Sequence, residues 1–70
     1  MEDKHQRFVR LAEKRTNRVL ESLRILGNCS NRNVYEYDQS EIDKIFKEID
    51  AQVRAAKALF KPAGERMFKL

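Results

Sequence analysis

Four cations could do chemistry together: Arg7, Arg10, Lys14 and Arg18 recur at steps of three and four residues. On a helix that spacing raises one basic ridge, and such a ridge can neutralise consecutive phosphates of a nucleic acid. Acidic residues interrupt it, with Glu13 and Glu21 at helical spacing from the same cations, so a solvated face with internal ion pairs is the competing reading and the favoured one. A second cluster is Asn31, Arg32, Tyr35 and Tyr37, where hydrogen-bonding groups stand beside two aromatic rings and could make a peptide or nucleotide surface. Turn formation competes there, because asparagine side chains bond nearby backbone.

Catalysis finds little to work with. Cys29 is the single cysteine and has no adjacent base to activate it, and His5 is the single histidine, so no zinc spacing and no nucleophile pair arises. Asp43, Glu48 and Asp50 are interleaved with Lys44, Lys47, Arg54 and Lys57, a pattern of surface ion pairs more than of an acid and base pair. The expectation is a protein that is not an enzyme, with no metal and no cofactor. A lone cysteine fits a reducing compartment, which places the chain in the cytoplasm. The charged opening Met1-Glu2-Asp3-Lys4-His5, with no apolar run behind it, predicts neither a signal peptide nor any part for a membrane.

The elements that carry these residues are helices. From about 3 to 26 no proline or glycine intervenes, and Phe8, Val9, Ala12, Thr16, Val19, Leu20, Leu23 and Leu26 fall on one side. Asp3 or Glu2 suits its start, and Gly27, with Asn28 as the alternative, can take the left-handed conformation that ends a helix. From about 39 to 60 a second apolar face is built from Ile42, Phe46, Ile49, Val53, Ala56 and Phe60, at alternating steps of four and three. Asp38 reads as its N-cap, with Glu41 completing a capping box and Tyr37 and Ile42 spaced for a hydrophobic staple, and Ser40 with Asp43 is the competing register. Pro62 ends it.

Between the helices Asn28 to Asn33 is a polar connector, and Val34-Tyr35-Glu36-Tyr37 alternates in the strand sense. The tail, 61–70, is either disordered or contributes a short strand, 66–70, beside 34–37. The fold class is therefore all-α: one small domain, 1–70, folded as an antiparallel helical hairpin. The sequence has 70 residues, 37% charged and 41% hydrophobic, with a formal net charge of +4. A chain this short buries only about 60% of the surface that its unfolded form exposes. Two helices shield only the sides they turn toward each other, so the expectation is a homodimer, two hairpins closing into a four-helix bundle. Its packing positions would be Val19, Leu23, Leu26, Ile42, Phe46, Ile49, Val53 and Phe60. The function that follows is an interaction or adaptor module for an unknown protein partner, with nucleic-acid binding on the ridge as the alternative.

Leu11-Ala12-Glu13-Lys14-Arg15-Thr16-Asn17-Arg18, then Ile25-Leu26-Gly27-Asn28-Cys29-Ser30-Asn31-Arg32, Tyr35-Glu36-Tyr37 and Lys44-Ile45-Phe46, resemble a family of small uncharacterised bacterial proteins. Its pattern is roughly L-A-E-x-R-x-N-K, I-G-N-L-S-N-R, N-Y-x-Y and K-I-F. Arg18 stands for the usual Lys, Cys29 for Leu, and Val34-Tyr35 for Asn-Tyr, which makes Cys29 an apolar stand-in. The resemblance implies a single bacterial domain and carries no chemistry.

Overall fold

The computed structural model describes residues 1–60, and among them the chain is all-α. Helix α1 spans Lys4–Gly27, a single 3-10 turn follows at Asn28–Ser30, and helix α2 spans Gln39–Ala58. Two structural units divide the chain, Met1–Glu36 and a second one beginning at Tyr37.

In the first unit Asp3 caps α1. Its carboxylate accepts the Gln6 N–H at 2.7 Å, while the Gln6 side-chain oxygen accepts the Asp3 N–H at 3.0 Å, so two N–H groups left over at the helix start are satisfied reciprocally. The first turn itself holds no acidic residue. Glu2 and Asp3, just outside it, place negative charge at the positive end of the helix dipole.

The other end falls at Gly27 as expected, but by a different conformation. Gly27 is not left-handed: its φ of −59° and ψ of −25° keep it in the right-handed helical region. The Asn28 N–H bonds to the carbonyls of Ile25 and Leu26, and the chain tightens into the 3-10 turn before Asn31 turns extended at φ −71°, ψ 102°. The tightening supplies bonds for the last carbonyls without a left-handed residue.

Asn31 organises the connector. Its carbonyl accepts the N–H groups of Val34 at 3.1 Å and Tyr35 at 2.9 Å, and its side-chain oxygen accepts the Asn33 N–H at 3.0 Å. These bonds curl the backbone where the alternation of Val34 to Tyr37 predicts extension, and no strand forms at 34–37. The other half of that expected pairing, 66–70, and the whole tail 61–70 lie outside the described residues.

In the second unit Asp38 caps α2 in the expected register. Its carboxylate accepts the Glu41 N–H and the Glu41 carboxylate accepts the Asp38 N–H, both at 2.9 Å. The Ser40 hydroxyl donates to the same Asp38 oxygen at 2.7 Å. Ser40 therefore supports the Asp38 register instead of competing with it. These bonds favour the ionised form and hold the Asp38 carboxyl below its ordinary value, the Ser40 hydroxyl being the largest cause and the Glu41 N–H the next. Tyr37 and Ile42, at staple spacing, are both half-buried. Leu59 and Phe60 leave the helix in a turn, their N–H groups bonding at 3.1 Å to the carbonyls of Ala56 and Lys57. Helix α2 thus ends two residues before the expected 60.

Candidate interaction surfaces

No described residue is buried, so the described residues form no core. The apolar side chains line the helices instead. On α1, Phe8 is 52% exposed and Leu20 57%, with Val9, Val19 and Leu23 also open, whereas Ala12 and Leu26 on the same stripe are half-buried. On α2, Ile42 and Ile49 are half-buried, and Phe46 is 45% and Val53 54% exposed. Phe60 stands 72% exposed in the turn beyond α2. Of the eight expected packing positions, Val19, Leu23 and Leu26 share one side of α1, Ile42, Phe46, Ile49 and Val53 share one side of α2, and Phe60 lies in the turn beyond it.

Sequence reasoning left out Ile45 and Leu59, both exposed and both on one edge of the α2 face. Their signal was available, since Ile45 lies three residues from Ile42 and four from Ile49.

The basic ridge is real as a helical face, and Arg7, Arg10, Lys14 and Arg18 are all exposed on α1. One member is engaged. Both nitrogens of the Arg10 fork reach the Glu2 carboxylate, at 2.7 and 3.1 Å, a bidentate pair that holds the guanidinium protonated more firmly than usual. Arg7, Lys14 and Arg18 make no side-chain ion pair among the described residues. Lower on the helix Arg24 grips Glu21 in the same bidentate way, and this pulls the Glu21 carboxyl below its ordinary value. Glu21 was legible as a pairing residue from its spacing. The Glu2–Arg10 pair was not, because Glu2 lies outside the helix.

The second cluster is largely occupied by structure. Asn31 spends its carbonyl and its side-chain oxygen on the turn. Arg32 and Tyr35 are exposed in the first unit, while the half-buried Tyr37 opens the second. His5 is exposed in the first turn of α1, with its ring stacked on Phe8 at 6.4 Å between centroids. Cys29 is an exposed free thiol in the 3-10 turn, not a packed apolar residue. On α2 two of the acidic residues take glutamine partners: Gln39 donates to Asp43 at 2.9 Å and Gln52 to Glu48 at 3.0 Å. The expected ion pairs do not include them.

An open depression runs along α1 past Val9, Arg10, Glu13 and Lys14. It is a shallow surface, not an enclosing cavity. Among the described residues no three His, Cys, Asp or Glu side chains gather as a metal site, and no helix is long and apolar enough to cross a membrane. Comparison with protein-family models, curated protein sequences and solved structures returns no match to this chain.

Proposed function

We propose that this chain is a non-catalytic helical interaction module, in which α1 and α2 fold back as a hairpin and two copies close into a four-helix bundle. In that form it serves as an adaptor in a bacterial cytoplasmic assembly. The observation that carries the reading is the pair of continuous, exposed apolar faces in a structure with no buried residue among those described. Most helical stability in proteins comes from packing an apolar face, and helices of 24 and 20 residues leave theirs open. The bacterial setting follows the resemblance around Leu26 to Arg32.

Sedimentation equilibrium at micromolar concentration tests it. The expected result is the mass of a homodimer with high helicity. A stable, well-folded monomer would end the proposal.

One observation favours a second reading, nucleic-acid binding. Helix α1 carries seven Lys or Arg against two Glu, and three ridge cations have no acidic partner among the described residues. This reading expects affinity for a duplex that falls steeply as salt rises. An unshifted duplex in a low-salt gel would remove it.

A further inference from the structure

We propose that the apolar face of α2 docks the same helix of a second copy in antiparallel alignment, with Asp50 beside the twofold axis. The proposal rests on the homodimer reading and adds which helix meets which, in what direction and in what register.

The register follows from the spacing. Ile42, Phe46, Ile49, Val53 and Ala56, with Phe60 just past the helix end, step four and three alternately. That is a heptad seam in which 46, 53 and 60 form one set and 42, 49 and 56 the other. An antiparallel pair sets one series against the other. A single alignment uses all six, placing Phe46 against the partner's Ala56, Val53 against the partner's Ile49 and Phe60 against the partner's Ile42. The large ring then meets the small side chain. A parallel pair would instead stack Phe46 on its own copy and Ala56 on its own copy, crowding one layer and leaving another underfilled.

Charge selects the same arrangement. Flanking the antiparallel seam, Asp43 falls beside the partner's Lys57 at both ends, and Ile45 falls beside the partner's Leu59, which covers the two exposed apolar residues on the edge of the face. Gln52 meets its own counterpart. In a parallel pair Ile45 would lie beside the partner's Asp50, and no opposite charges would meet. Helix α2 has four acidic and four basic residues and so tolerates its own copy, whereas the cationic excess of α1 would repel another α1. One like-charge contact remains in the chosen alignment, Asp50 against the partner's Asp50.

Disulfide trapping in the full chain, with Cys29→Ser as background, tests the alignment. Gln52→Cys should cross-link to itself on oxidation. Ile42→Cys should not, since its counterpart would lie about 27 Å away along the axis at 1.5 Å per residue. Asp43→Lys should raise the dimer Kd about tenfold, Lys57→Asp should do the same, and the double swap should restore it. Asp50→Asn should tighten the dimer. Charge variants keep the test decisive if a cysteine variant fails to fold. A dimer in which Ile42→Cys cross-links, or in which the double swap gives no rescue, overturns the antiparallel register alone. A wild-type monomer overturns the register and the dimer reading together.

Discussion

The two helices begin alike and differ in charge. Each is opened by an aspartate in a reciprocal capping box, Asp3 with Gln6 and Asp38 with Glu41, and each carries an apolar face along its length. Yet α1 holds seven cations to two acids, with none of the acids in its first turn, whereas α2 is balanced and keeps Glu41 there. The acids lie toward the start of α2, and Lys57 lies in its last turn, the order that complements the helix dipole. Helix α1 gets that complement from outside, from Glu2 and Asp3. A helix that is neutral overall can bury its face against its own copy. A strongly cationic one favours an anionic neighbour and leaves its polar side in solvent. Under the proposed assembly, the difference puts association on α2 and any polyanion contact on α1.

The sharpest way to break this assignment is Phe46→Ala. Removing the large ring from the α2 face should cost the assembled state about 3 kcal/mol and dissociate or unfold it, read by chemical denaturation alongside sedimentation. If Phe46→Ala left both unchanged, α2 would not be the association helix.

Acid should separate the helices next. The Asp38 carboxyl titrates below its ordinary value in the folded chain. Its contribution is therefore fully present above the unfolded-state value and is lost as pH falls through the lower folded one. Asp38→Ala should fray the first turn of α2 at neutral pH, seen as reduced helicity by circular dichroism, and should remove that part of the acid dependence. An unchanged acid profile in the variant would show that the cap does not hold α2.

A smaller effect, of opposite sign, belongs to α1. Gly27 is right-handed, and a methyl group there would meet nothing within 4 Å. Gly27→Ala should stabilise by about 0.5–1 kcal/mol, because alanine loses less backbone freedom in a helix. A loss of stability would mean that Gly27 needs its left-handed freedom after all.

The smallest effect on folding is expected from Lys14→Glu with Arg18→Glu. These exposed changes should leave the melting midpoint and the dimer mass nearly unaltered, within about 0.5 kcal/mol of stability for each. Any low-salt affinity for nucleic acid should disappear in the same variant. Dissociation of the dimer by this pair would move the interface from α2 to α1.

What was legible in the sequence was local. The Asp38–Glu41 box, the start at Asp3 and both apolar faces follow from neighbours within one or two helical turns. Gly27 marked the end of α1 correctly but not its conformation, because Asn28, Cys29 and Ser30 carry the chain on as a 3-10 turn with no left-handed residue. Val34 to Tyr37 misled because four alternating residues say nothing of a partner strand, and the Asn31 carbonyl takes their leading N–H groups into a turn. The Glu2–Arg10 pair closes across a helix start, between residues no periodic pattern links. Of the expected surfaces, the basic ridge lost part of its charge to Glu2, and the asparagine cluster lost Asn31 to the turn.

The central claim is that these faces are covered by a second copy, and the thermal midpoint as a function of protein concentration tests it most directly. Folding coupled to association makes the midpoint rise with each tenfold increase in concentration. A helical chain that melts cooperatively at one temperature across that whole range would contradict the account.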